Sequence, residues 1–156
     1  AKDKMTHPGY QSITADVIPD VDLPNNAGRM RVIAGRYEDT VGPAHTFSPL
    51  NVWDLQLNQS QEITLHQPAG WSTALVVLEG EIVVNGEGNA REGQLVVLSQ
   101  KGEALHLAAG TNAKVLLMAG EPLQEPIVGY GPFVMNTKAQ IAEAVRDFNS
   151  GRFGQI

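Results

Sequence analysis

Alternating apolar and polar residues dominate the middle of the chain and predict a series of short β-strands. The clearest run is 51–57, where Trp53, Leu55 and Leu57 share one face and polar residues separate them. Further runs, bounded by Gly, Pro and Asn-Gly turn signals, lie at 29–37, 61–67, 72–78, 81–84, 94–98, 104–108 and 113–119. These eight strands, with no helix among them, indicate a closed or sandwiched all-β core. The inward residues predicted for the first three strands are Met30, Val32, Ala34, Trp53, Leu55, Leu57, Ile63 and Leu65.

Near the end of the chain the apolar period changes to that of an amphipathic helix, predicted at about 137–150. Its apolar stripe, at positions i, i+3, i+4 and i+7, consists of Ile141, Ala144, Val145 and Phe148. Thr137 and Gln140 fit a capping box at the start, and Gly151 fits a helix stop. A helix with such a stripe must bury it against another surface.

The segment before this helix is rich in Pro and Gly, and the sequence predicts an irregular loop there. Ile141 and Val145 are expected to pack on the β-core, and Phe148 is expected to be buried with them. Tyr130 and Phe133, on the loop, are expected to contact a partner. The residues predicted for domain or partner packing are therefore Tyr130, Phe133, Ile141, Val145 and Phe148.

Composition excludes several classes of partner. The formal net charge of -6 argues against nucleic acid or an anionic membrane. No apolar run approaches the roughly 18 residues that a membrane span needs. The absence of Cys excludes disulfides and thiolate sites and fits a cytoplasmic setting. No catalytic residue is predicted, because Ser72 precedes a strand and no Walker or dinucleotide motif occurs.

The chain also resembles a known family. The segments MRVIAG, PLNVWDLQL, STALVVLEGEIVVNG, GEPLQEPIVGYGPFVMNT and DFNSGRFG occur in the order found in pirin-like proteins. Those proteins are two-domain cupins, and the chain resembles their C-terminal half. The resemblance implies an all-β jelly-roll cupin over 29–156 with one C-terminal α-helix. Residues 1–28, which include a candidate strand at 13–18, are then expected to be a lead-in or interdomain linker, with an N-terminal cupin as partner.

The resemblance also bears on metal binding. Cupin ligand positions fall on His66, Pro68, Thr73 and Leu105, with His106 one residue from the last. Imidazole and carboxylate ligands suit a ferrous ion, and only His66 supplies such a group. No metal site or cofactor is therefore predicted in this chain. His66 and His106 remain as candidates, and each is first expected to be an exposed strand residue.

Pirin-like proteins carry Fe(II) or another divalent metal in the N-terminal cupin, and several resemble quercetinases. The family is also associated with transcriptional co-regulation. The resemblance implies that this chain is a metal-free cupin with structural and partner-binding roles, and that it is not catalytic by itself. The parent protein is then expected to be a quercetin dioxygenase-like or a regulatory protein. Three alternatives are an autonomous small-molecule binder, half of a complex with a separate N-terminal cupin, and an enzyme with an atypical site at His66 and His106.

Overall fold

The computed structural model describes residues 2–7 and 9–152, which divide into two compact units. The larger comprises residues 13–122, and the smaller comprises the described residues of 1–12 and 123–156. No helix in the described part of the chain has the length and apolar character needed to cross a membrane.

The larger unit is built from antiparallel strands. In chain order they are β1 (Asp20–Asp22), β2 (Gly28–Ala34), β3 (Arg36–Tyr37), β4 (Thr40–Val41), β5 (Leu50–Leu57), β6 (Glu62–His66), β7 (Ser72–Glu79), β8 (Glu81–Val84), β9 (Gly88–Arg91), β10 (Leu95–Val97), β11 (Ala104–Ala109) and β12 (Ala113–Gly120). A six-stranded sheet has the order β1-β2-β5-β12-β7-β10, and a four-stranded sheet has the order β6-β11-β8-β9. Side chains from both sheets form one hydrophobic core, so the unit is a sandwich.

The alternation predicted from the sequence is the alternation of burial in the structure. Every predicted inward residue of the first three strands is buried, and the all-β core is confirmed. Strand β9 is absent from the strands that the sequence predicts. It carries only one inward apolar residue, Ala90, so its alternation was too weak to recognise.

Trp53 is the largest fully buried side chain of the core. Its ring meets that of Tyr37 edge to face, with centroids 5.4 Å apart. Its indole Nε1–H has no hydrogen-bond partner among the described residues. Burial raises the pKa of the Tyr37 hydroxyl, and the charge of Glu38 adds to the effect.

The strand expected at 13–18 is wrong. This segment instead contains a 3-10 turn at Ala15–Val17, where the Val17 N–H donates to the Thr14 carbonyl over 3.2 Å. Pairing with β2 begins only at Asp20. Local turn bonding, with no paired strand beside it, therefore outweighs the β-branched composition. The assignment of 1–28 as a linker stays a prediction.

The segment predicted to be irregular contains a short hairpin, so that expectation is also wrong. Strands β13 (Val128–Tyr130) and β14 (Phe133–Met135) pair antiparallel through the two-residue loop Gly131–Pro132. Gly131 has a φ of +54°, which glycine adopts without strain. Proline cannot adopt a positive φ, so the loop matches a type II′ turn rather than type I′.

Helix α1 (Lys138–Asn149) begins and ends as the sequence predicts. The Gln140 N–H donates to Thr137 Oγ1 over 3.2 Å, and the Thr137 N–H donates to Gln140 Oε1 over 3.1 Å, which confirms the capping box. At the other end Gly151 has a φ of +72°. The Arg152 N–H donates to the Asp147 carbonyl over 2.9 Å, completing a Schellman motif.

Within the smaller unit, α1 lies against both strands of the hairpin. Ile141 and Ala144 are its two buried residues, and Val145 is half-buried. Phe148 was expected to be buried, but it is 61% exposed, so that expectation is wrong. Phe148 lies in the last turn of the helix, where the ring of Phe133 contacts only one part of it and most of its surface stays uncovered.

Candidate functional site

The two histidines considered as metal ligands lie on the outer surface of the four-stranded sheet. Along β6, Ile63 and Leu65 point into the core, so His66 points outward. The same alternation along β11 turns His106 outward. In the register of these strands His66 is opposite Ala104, which places the histidines diagonally across the outer face. Neither imidazole can therefore reach the interior of the sandwich.

His106 makes ordinary surface contacts. Its Nδ1 lies 3.2 Å from Thr64 Oγ1, and its Nε2 lies 3.4 Å from Glu62 Oε2. A single imidazole with one exposed carboxylate is too few ligands for a metal site of known type. The described residues contain no group of three or more His, Asp or Glu side chains arranged to hold a metal ion.

The interior positions that correspond to cupin ligands carry other chemistry. Pro68, Thr73 and Leu105 line a cavity at the open edge between the sheets. A pyrrolidine ring, a hydroxyl and an isobutyl group offer no imidazole or carboxylate to a ferrous ion. The residues present therefore do not fit the iron centre that the resemblance associates with the fold.

This cavity has a volume of about 620 Å³, within the range of small-molecule sites. Its walls are both apolar and polar: Val84, Ala90, Val96, Leu98 and Leu105 supply the apolar part, and Asn85, Asn89 and Ser99 are among the polar residues. Trp71, half-buried and packed against the core, contributes an aromatic side chain. Its position is restrained by neighbouring bonds, since Gln100 Nε2 donates to Ser72 Oγ over 2.9 Å and the Gly70 N–H donates to the Gln100 carbonyl over 3.0 Å.

Gln67 is the cavity residue with the most unusual environment. It follows β6, only 6% of it is exposed, and its Oε1 accepts a hydrogen bond from Asn51 Nδ2 over 2.8 Å. Asn51 Oδ1 accepts from the Arg36 N–H over 3.1 Å, and this bond determines which end of the Asn51 amide is the donor. Gln67 Nε2 is left buried with no partner among the described residues. The sequence interpretation missed this residue, although the alternation Ile63, Leu65, Gln67 points to it.

The five residues predicted for domain or partner packing lie in the smaller unit. Tyr130 is 70% exposed, whereas Phe133 is half-buried and meets Phe148 edge to face with centroids 5.9 Å apart. Ile141 and Val145 lie on the helix beside the hairpin. Their packing on the β-core, and the contact of any of the five with a partner, stay predictions.

The residues at the cupin metal-ligand positions lead to a first testable prediction. After dialysis against Fe(II), Ni(II) or Zn(II), the protein is expected to retain less than stoichiometric metal, because only His66 has a ligating group at a cupin ligand position. Elemental analysis of the dialysed protein measures this. One bound equivalent that disappears in His66→Ala but persists in His45→Ala would show that an atypical site exists.

Comparison with known proteins places this geometry in a family. The family described as "Pirin C-terminal cupin domain" matches residues 52–154. A Pseudomonas aeruginosa protein named "Putative quercetin 2,3-dioxygenase" is 46% identical over 98% of this chain and 53% of its own length. The crystal structure of a quercetin 2,3-dioxygenase from Acinetobacter baumannii is 51% identical, with a TM-score of 0.87 over 95% of this chain and 51% of that one.

These similarities confirm the cupin fold that the sequence resemblance implied. The chain spans about half the length of the relatives it matches, at 53% and 55% of the first two. The matched family covers most of the sandwich and the hairpin and helix that follow it. The chain therefore belongs to the pirin family, through its C-terminal cupin domain.

Proposed function

We propose that this chain is a structural cupin without a metal of its own, and that it docks onto the N-terminal cupin half of a quercetinase-type assembly. The smaller unit supplies the docking surface. Oxygen chemistry is assigned to the other half, because the interior of this cupin offers Pro68, Thr73 and Leu105 at the ligand positions.

The observation that carries the proposal is the apolar surface of the segment 123–148. Ile127 is 83% exposed and Tyr130 is 70% exposed. The complete set of exposed large apolar side chains in this segment is Leu123, Ile127, Tyr130, Val134 and Phe148. A concentration of exposed apolar side chains in one short segment is typical of interaction sites in soluble proteins, and aromatic residues are enriched at the energetic centres of such sites.

The occupant follows from the relatives. They are about twice as long as this chain, and their similarity to it extends over both the sandwich and the C-terminal hairpin and helix. The part of those proteins that this chain does not match is therefore large enough to be a second domain. A neighbouring domain of the same protein is the simplest partner for an apolar surface on a domain of this kind.

A second prediction tests docking directly. This chain is co-expressed with the N-terminal half of the Pseudomonas aeruginosa relative, and the complex is captured through a tag on that half. Tyr130→Ala and Phe148→Ala are each expected to weaken capture by roughly tenfold, as interface anchors do. For this chain alone, Phe148→Ala should lower the free energy of unfolding by less than about 1.5 kcal/mol, because the Phe148 side chain is mostly exposed and an aromatic ring pair contributes about that much.

The matched control is Phe47→Ala, an equally exposed aromatic residue of the larger unit, 72% exposed. It should leave capture unchanged. Equal loss of capture in the Phe47 and Tyr130 variants would place the interface outside the smaller unit. If Phe148→Ala lowered the free energy of unfolding of the isolated chain by several kcal/mol, Phe148 would be shown to stabilise the fold instead of an interface.

A further inference from the structure

We propose that two copies of this chain associate through the edge strand β10, whose backbone pairs with the same strand of the second copy in antiparallel orientation. The strand belongs to the larger unit, so this surface is separate from the docking surface proposed on the smaller unit. The resulting dimer has a twofold axis at Val96 and joins two six-stranded sheets into one.

Strand β10 leaves hydrogen-bonding groups of its backbone unused. It lies at one edge of the six-stranded sheet, beside β7. The Leu98 N–H donates to the Thr73 carbonyl of β7 over 2.9 Å, so Leu98 is at a bonded position. Because bonded and unbonded positions alternate along an antiparallel strand, the N–H and C=O groups of Leu95 and Val97 point away from β7. These groups have no hydrogen-bond partner among the described residues.

The spacing of the unused groups makes β10 complementary to a copy of itself. When Val96 lies opposite Val96 of the second copy, Leu95 lies opposite Val97 of that copy, and Val97 lies opposite its Leu95. Both of these pairs are of the bonded type, in which two residues exchange N–H···O bonds, so every unused group of both strands is satisfied. A twofold pairing centred on Leu95 or on Val97 forms only one such pair within the strand. The backbone therefore favours the register centred on Val96.

The side chains of β10 favour the same arrangement. Val96 packs against the core, whereas Leu95 and Val97 lie on the outer face of the sheet with exposed fractions of 60% and 72%. In this register each exposed leucine lies opposite an exposed valine of the second copy, and apolar cross-strand pairs stabilise antiparallel sheets. Association therefore covers the two most exposed large apolar side chains described in the six-stranded sheet.

Charge distinguishes β10 from the other edges of the two sheets. The edge strands β1, β6 and β9 carry exposed charged residues, among them Asp20, Glu62 and Arg91. Such charges protect an edge against pairing with another chain, and β10 has none. Two copies with a net charge of -6 each therefore meet at β10 without like charges on opposite residues. Because the opposite edge of the sheet is charged, pairing ends at two copies instead of continuing into a fibre.

The register is tested with Val96→Cys in the full chain, which has no cysteine of its own. Opposite residues at an unbonded position have α-carbons about 4.5 Å apart, within the range that a disulfide spans. Leu95→Cys is the matched control, because its thiols are more exposed but lie on different residue pairs, beyond the limit of about 7 Å. Under mild oxidation Val96→Cys is expected to form linked dimers at least about tenfold faster, as measured by non-reducing electrophoresis.

Sedimentation velocity measures the association without a covalent link. The unsubstituted chain is expected to sediment faster as its concentration rises from micromolar to millimolar, because three-residue strands make a contact smaller than the roughly 1,200 Å² of stable interfaces. Val97→Lys places a charge on the edge and should leave the chain monomeric. Val41→Lys, the same change at an exposed valine outside the six-stranded sheet, should keep the association, and so should Tyr130→Ala in the smaller unit.

Four results would overturn the proposal. One is a sedimentation coefficient of the unsubstituted chain that does not change with concentration, which requires no variant to fold. Another is linkage of Leu95→Cys as fast as that of Val96→Cys, which indicates random collision. A dimer that persists in Val97→Lys would place the contact elsewhere on the chain. A monomer whose thiol in Val96→Cys is shielded from labelling only by the N-terminal half of the Pseudomonas aeruginosa relative would assign the edge to that half.

Discussion

Trp53→Ala is expected to lower the free energy of unfolding of the sandwich by about 3–5 kcal/mol. Trp53 is 2% exposed and lies in β5, the third strand from the β1 edge of the six-stranded sheet, between β2 and β12. Its removal would leave a cavity at the centre of the core and would remove the edge-to-face contact with Tyr37. Denaturant unfolding, followed by far-ultraviolet circular dichroism, measures the change.

Trp53→Phe is the matched variant for this experiment. Phenylalanine keeps an aromatic ring in the core and removes an indole N–H that has no partner among the described residues. Its cost should therefore be well below that of alanine. Similar losses for the two variants would mean that the indole N–H, and not the buried ring, makes the stabilising contact at this position.

Gly28→Ala is expected to destabilise the protein by about 3 kcal/mol or more. Gly28 begins β2 with a φ of +137°, a conformation that side-chain-bearing residues rarely adopt. A β-carbon there would overlap the carbonyl oxygen of Gln56 on the neighbouring strand β5. The backbone of β2 or β5 must move to relieve this overlap, which disturbs the ladder between them.

Gly88→Ala provides the control, because a β-carbon at Gly88 meets no atom within 4 Å and its φ is not positive. Alanine at such a position restricts the unfolded chain and should change the stability by less than about 1 kcal/mol, in the stabilising direction. Thermal unfolding of the two variants tests the contrast. Equal midpoints would show that β2 can shift to accommodate the extra carbon.

Much of the fold was predictable because burial alternates with a strict period in its central strands. Trp53, Leu55 and Leu57 identified β5 without any knowledge of its neighbours. The helix was equally clear, since Thr137 and Gln140 bond to each other within one turn. Signals of this kind are local, so a single sequence contains them completely.

The errors fall where pairing or coverage depends on distant residues. Residues 13–18 have the composition of a strand, but β2 pairs only with the residues from Asp20 onward. The Gly131–Pro132 turn was visible in the sequence, yet three-residue strands give too little alternation to reveal a hairpin. The exposure of Phe148 depends on how much of the helix the hairpin covers, which periodicity does not report.

In the candidate site, too, the features set by local alternation were predictable and those set by distant residues were not. Alternation alone turns His66 outward and Gln67 inward, so the sequence contained the main argument about both residues. The missing partner of Gln67 Nε2 could not be predicted. It depends on Asn51, which is 16 residues away, and on the Arg36 N–H that orients the Asn51 amide.

The C-terminal segment, which consists of the hairpin β13–β14 and helix α1 and is called the tail below, is held in its conformation by bonds within the segment itself. This affects how it would bind a partner. The capping box, the Schellman motif and the two-residue hairpin turn all join residues of the tail to one another. A segment that orders only on binding loses about 1–2 kcal/mol of backbone entropy per residue at that moment. A preorganised hairpin and helix avoid most of this loss, so association would resemble rigid-body docking, with a rate limited by orientation instead of folding.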